Sequence, residues 1–131
     1  MGMMFRGVRG AITVEENTAQ AILEATGELF RAIIAANEIA EEDVASVMFT
    51  ATPDLNAAFP AKAVRELGWT RVALMGMQEM EVSWGLPRCI RILIHWNTTK
   101  TLDEIQHIFL RDAVSLRPDL LPKESIISDR S

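Results

Sequence analysis

Little in this chain is equipped for covalent, redox or metal chemistry. A single cysteine, Cys89, among 131 residues excludes an internal disulfide and fits a reducing, cytoplasmic compartment. No base is evident beside it in the sequence, so it reads as a small apolar core residue rather than a nucleophile. The two histidines, His95 and His107, lack the Cys, His or acidic spacing of a metal site, and no metal is expected. There is no glycine-rich phosphate loop and no Ser-His-Asp set. Aromatic residues do not interleave with bases, and the net charge is −5 with a pI near 5.0. Nucleic acid is therefore not the expected partner. The longest apolar runs are too short to span a bilayer, and the first residues carry no signal-peptide profile. Gly2 makes no myristoylation site, because Gly7 stands where Ser or Thr is required. No internal repeat, linker or low-complexity block interrupts the chain.

What is present is apolar. Hydrophobic residues are 49% and the mean hydropathy is +0.13, enough for one domain with a real core. The apolar surplus hints at subunit contact. Charge is unevenly placed. Between Gly10 and Ala61 stands one base, Arg31, against nine Asp and Glu. From there to residue 100 come Lys62, Arg65, Arg71, Arg88, Arg91 and Lys100, against Glu66, Glu79 and Glu81. Arg6 and Arg9 stand apart among small residues. Several bases are set in apolar runs, as in Cys89-Ile90-Arg91-Ile92-Leu93-Ile94. A cation buried there must meet an anion or leave its desolvation uncompensated, and Glu79 is the one acid that lies close to them within an apolar stretch. The pattern suits a chain that holds a small polyanion.

Residues 4–14 predict a strand with Val8, Ile12 and Val14 on one face. Thr18 is an expected N-cap for an amphipathic helix over 19–36, which Asn37 would close in a left-handed conformation. Val44 to Thr52 reads as a buried strand, and Thr52-Pro53-Asp54 as a turn. Pro60 and Gly68 bracket a short helix over 60–67. Strands are expected over 71–75, 80–82 and, most strongly, 89–96, with a turn at 85–87. Thr101-Leu102-Asp103-Glu104 matches a capping box, residues 105–116 are ambiguous, and residues 121–131 read as a mobile tail after a single domain over 1–120. The order argues an α/β or α+β layer fold.

The chemical inventory is therefore a set of non-titrating cations and one carboxylate, suited to binding, orientation and charge stabilisation. These residues also carry a resemblance. Arg6-Gly7-Val8-Arg9-Gly10-Ala11-Ile12-Thr13-Val14-Glu15, the run from Ala51 to Leu67, Met77-Gln78-Glu79-Met80, Cys89-Ile90-Arg91, His107-Ile108-Phe109-Leu110 and Leu116-Arg117-Pro118-Asp119-Leu120 resemble the monofunctional chorismate mutases of the trimeric α/β type. Six collinear blocks from residue 6 to residue 120 make a specific match.

The resemblance implies an α+β fold, a mixed sheet with one long helix and short ones, assembled as a homotrimeric pseudo-barrel with active sites between subunits. It implies conversion of chorismate to prephenate, toward phenylalanine and tyrosine, by an intramolecular Claisen rearrangement that needs no cofactor. By family position Arg91 would bond the ether oxygen, where negative charge grows as the carbon–oxygen bond breaks. Arg9 would bind a substrate carboxylate, and Glu79 would accept a hydrogen bond from the ring hydroxyl. Phe59 would pack on the substrate, Lys62 and Arg65 would line the mouth, and Arg117 would lie in a segment that closes over the site. Backbone groups of Met75, Gly76, Met77 and Gln78 would contact the ligand. The bland alternatives are an ion pair for Arg91 and Glu79, solvated positions for Arg9, Lys62, Arg65 and Arg117, and ordinary core for Phe59.

Two positions depart from the family: Phe109 replaces the usual tyrosine, and Gly76 the common cysteine. Rival functions are a non-catalytic trimer that binds a small carboxylate, and an imine- or enamine-hydrolysing enzyme on a similar trimeric fold. Prephenate formation separates both from a mutase.

Overall fold

The computed structural model describes residues 2–116, so Arg117 and the expected tail lie outside the described residues. Five strands form one mixed sheet: β1 (Met4–Thr13), β2 (Val44–Ala51), β3 (Ala73–Gln78), β4 (Cys89–Thr98) and β5 (Ile108–Leu110). Their order is β3-β2-β4-β1-β5. The pairs β1–β4 and β2–β4 are antiparallel, whereas β1–β5 and β2–β3 are parallel. The expected α+β class is what forms.

Alternation divides the sheet into two unlike faces. Val8 and Ile12 of β1, Val47 and Phe49 of β2, and Ile90, Ile92 and Ile94 of β4 are buried beneath helix α1 (Ala19–Asn37). The helix contributes Ile22, Ala25, Leu29, Phe30 and Ile33 to the same core. Gly10 permits this contact: a Cβ there would stand 2.5 Å from the Ile108 carbonyl oxygen and 2.9 Å from Ile33 Cδ1.

The helix starts as expected, with Thr18 Oγ1 accepting the Ala21 N–H at 3.1 Å. Its end differs. Asn37 stays helical and Glu38 takes the left-handed conformation, φ 57°. The cause is tertiary: Asn37 Nδ2 donates to the Ile33 and Gln106 carbonyls, and its Oδ1 accepts from Gln106 N–H. A side chain so committed keeps its own backbone in the last turn.

Helix α2 (Ala61–Glu66) follows Pro60, and Gly68 beyond it has φ 100°. Strand β3 begins at Ala73 rather than at Arg71, because the N–H groups of Arg71 and Val72 donate to Glu41 Oε2 instead of to a strand. Residues 80–82 are not a strand. They follow the edge strand β3 after its partner β2 has ended at Ala51, and they turn at Val82–Gly85. The capping box opens a 3-10 turn, Leu102–Glu104. The ambiguous 105–116 segment resolves into β5 and a 3-10 turn, Arg111–Leu116, with Arg111 at φ 55° where the strand stops.

The face away from α1 is only partly covered. At one end Ala11, Cys89 and Ala113 form a small buried cluster with Leu86, Phe109 and Leu116 packed on it. Elsewhere Met48 and Leu93 are half-buried, and Phe5, Met75 and Met77 are exposed. Among the described residues no helix is long and apolar enough to cross a membrane.

Candidate active site

One row across the open face gathers the polar chemistry. Strand register aligns Phe109 with Ala11, Ala11 with Arg91, Arg91 with Thr50, and Thr50 with Met77. Paired residues share a face, so Arg91 stands at the centre of the row, flanked by a methyl group and a hydroxyl. Its own strand alternates between Ile90 and Ile92 in the core and Arg91 outside. The guanidinium is thus not a cation buried in an apolar run. It is exposed on the face opposite the helix.

Glu79 meets it there. The ion pair brings Arg91 Nε to 3.2 Å from Glu79 Oε1, with side-chain exposures of 44% and 22%. Glu79 Oε1 also accepts a hydrogen bond from Thr50 Oγ1 at 2.6 Å. The backbone N–H of Glu79 donates to the Ala51 carbonyl at 2.9 Å. The carboxylate is therefore held just beyond β3 against the centre of the sheet.

The pair lines a cleft of about 780 Å³ whose walls include Thr52, Trp84, Leu86, Cys89 and Leu116. Cys89 is buried at its floor. Burial pushes the thiol above its ordinary value, with the Arg91 guanidinium opposing that shift. A neutral thiol fits the reading of Cys89 as a small packing residue.

The other expected site residues divide. Arg9 is exposed on β1, two residues from Ala11, and its guanidinium lies 5.8 Å from the centre of the Phe109 ring. Those two therefore belong to the same face as Arg91. Phe59, Gly76, Met77 and Gln78 line a second cleft of about 490 Å³, which adjoins the first through Thr52 and Pro53 and includes Thr50. Phe59 is 78% exposed, which overturns its alternative reading as ordinary core. Met75 is exposed on β3, and Lys62 and Arg65 are exposed on α2, lining neither cleft. Within one chain, the carboxylate and its arginine stand apart from Phe59, Lys62 and Arg65.

Thr50 joins the site without a motif of its own. Its signal is weak: a hydroxyl within Val47-Met48-Phe49-Thr50-Ala51, on the side of the strand away from Phe49. Only the pairing with Arg91, and the return of the chain at Glu79, gives it partners.

Comparison with known proteins adds the following. A family model described as chorismate mutase type I matches residues 5–120. The chain is 52% identical to the chorismate mutase AroH of Thermus thermophilus over 118 residues, 89% of this chain and 97% of that one. It is 50% identical to the chorismate mutase AroH of Bacillus subtilis (strain 168) over 119 residues, 90% and 94% of the two lengths. A solved structure titled chorismate mutase from Clostridium thermocellum superposes with a TM-score of 0.83 at 44% identity, covering 84% of this chain and 98% of that one.

Proposed function

The chain belongs to the chorismate mutases of type I, and from that premise we propose that Arg91, Glu79 and Arg9 are the groups that carry its reaction. It is an isomerase that converts chorismate to prephenate in aromatic amino acid biosynthesis. The rearrangement is intramolecular. One carbon–oxygen bond breaks as one carbon–carbon bond forms, and no proton, electron or group is exchanged with the protein. The enzyme's part is to hold the reactive conformer and to stabilise charge that exists only in transit.

The observation that carries the site assignment is the approach of Arg91 to Glu79 in a cleft on the open face. In this reading the guanidinium bonds the ether oxygen as its negative charge grows, a role for a group that stays charged at every working pH. Glu79 accepts the hydrogen bond of the ring hydroxyl and sets the ring over the arginine. Arg9, beside Phe109, binds a carboxylate of the dianion.

We infer further that the active unit is a homotrimer. Phe5, Met75 and Met77, three large apolar side chains, are exposed on the sheet face away from α1, a face suited to burial against another copy. The separation of Phe59, Lys62 and Arg65 from the cleft that holds Arg91 supports a site completed by a neighbour. Arg117, outside the described residues, is assigned to the site on family position alone. The enzyme is assigned to the cytoplasm, the compartment that suits its single thiol. Residues 1–120 are treated as the catalytic domain.

The deciding experiment follows loss of chorismate absorbance and identifies the product. Prephenate at a catalytic rate supports the reading. Saturable binding with no prephenate would leave a carboxylate-binding module instead.

A further inference from the structure

The hydroxyl of Thr50 makes the closest polar contact to the carboxylate in the cleft, 2.6 Å from Oγ1 to Glu79 Oε1, and no role described so far uses it. From this contact we infer that Thr50 is a positioning residue for the rearrangement, fixing the Glu79 carboxylate so that Oε2 faces the ligand. The inference rests on the reading that Glu79 accepts the substrate hydroxyl.

Glu79 needs such support because of where it sits. It follows the last residue of β3, and the segment after it is not a strand. Among the described residues its backbone is tied by one hydrogen bond, to Ala51. Three side-chain torsions then separate that tie from the carboxylate. Left alone, the carboxylate would be free to swing about its last torsion and take the Arg91 fork with both oxygens, a frequent geometry for such a pair. Substrate would then meet no free acceptor, and Arg91 would be drawn away from the ether oxygen.

Thr50 is built to prevent this. It lies within β2, one of the inner strands, opposite Arg91 in the register and half-buried. Its β-branched side chain is restricted at χ1, so the hydroxyl has a fixed direction. An O–H donor at this distance to a carboxylate belongs to the short, charge-assisted class. The hydroxyl and the nearest nitrogen of Arg91 both fall on Oε1, which leaves Oε2 as the oxygen for the ligand. One strand position thereby sets which carboxylate oxygen is structural and which is functional.

The test is a mutant cycle on the full-length enzyme, with kcat and KM measured for chorismate. Thr50→Val keeps the shape and removes the donor; it should lower kcat/KM about tenfold or more, the range for a hydrogen bond to a charged group. Thr50→Ser keeps the donor and should stay within about threefold of wild type. In the Glu79→Gln background, Thr50→Val should add less than about twofold, because its effect passes through the carboxylate. If the valine variant does not fold, Thr50→Ala, which adds no bulk, takes its place in the cycle. A normal Thr50→Val enzyme beside a crippled Glu79→Gln enzyme overturns the role of Thr50 alone. The same follows if the Thr50→Val loss persists in full without Glu79, since that is packing. An unimpaired Glu79→Gln enzyme overturns the underlying site reading as well.

Discussion

Arg91 Nε lies 3.2 Å from Glu79 Oε1 although both side chains remain open to solvent, 44% and 22% exposed. Pairs of this kind contribute only about 0.2–1 kcal/mol to folding. A close ion pair that adds so little to stability stands where it does for another reason, and its removal should separate activity from folding.

Arg91→Ala should therefore raise the reaction barrier by at least about 3–4 kcal/mol, the loss of one preorganised transition-state donor. Its urea midpoint should shift little. Arg91→Lys keeps the charge without the planar fork and should recover only part of the rate. Chorismate consumption and urea titrations on the same preparations measure both. Near-normal turnover in Arg91→Ala would remove the mechanism proposed here.

Phe109 packs near Arg9, with the guanidinium 5.8 Å from its ring centre, at the place where the family usually has tyrosine. Phe109→Tyr adds a hydroxyl next to the cation assigned to a substrate carboxylate. A bond of about 0.5–1.5 kcal/mol should appear as a lower KM with kcat little changed, the signature of uniform binding. Steady-state kinetics decide it, and an unchanged KM would place Phe109 outside the pocket.

How much of this was legible beforehand depends on whether the cause was local. The Thr18 cap, the Thr101–Glu104 capping box and the alternation of β4 are written in neighbouring residues, and they form as read. Asn37 has the residue type of a helix terminator, but its fate is decided by Gln106, 69 positions away. Residues 80–82 have strand-like composition but no partner once β2 has ended. The apolar neighbours of Arg91 suggest an embedded cation, whereas alternation carries it to the open face. Thr50 has meaning only through register with Arg91 and the return of Glu79, which no local pattern encodes.

Gly10 gives a stability test of the close helix–sheet approach. Gly10→Ala drives a methyl against the Ile108 carbonyl oxygen and the Ile33 and Leu29 side chains, at 2.5, 2.9 and 3.0 Å. The backbone oxygen cannot swing aside as a side chain can. Overpacking of this sort costs about 1–3 kcal/mol, and denaturant unfolding should show it as a lower midpoint with the same slope.

Cys89 supplies a pH signature. Burial raises its thiol above the ordinary value, with Arg91 opposing. Below the unfolded-state value of about 8.5 both states hold the proton and stability is complete. Above it the unfolded chain ionises first, so stability falls as pH rises until the native thiol follows. Cys89→Ala should flatten that alkaline decline relative to wild type in urea titrations from pH 7 to 10. Since the rearrangement exchanges no proton with the protein, kcat should be nearly flat from about pH 6 to pH 9, the interval between the carboxylate and lysine reference values. A bell-shaped kcat profile inside that window would mean acid–base chemistry instead.

The division of the site between two clefts gives the sharpest test of assembly. Arg91 and Glu79 line one cleft, Phe59 and Gly76 to Gln78 line another, and Lys62 and Arg65 line neither. If neighbouring subunits bring these groups together, each active site draws Arg91 from one chain and the Lys62–Arg65 helix from the next. An Arg91→Ala chain and a Lys62→Ala/Arg65→Ala chain would then each be impaired alone but complementary when mixed. After denaturation and joint refolding at equal amounts, about one site in four should pair an intact Arg91 with an intact helix, by random assortment in a cyclic oligomer. Recovered activity near a quarter of wild type, in particles that light scattering sizes as trimers, is the expected result. A mixture no more active than the mean of its two components would mean that each chain builds its site alone.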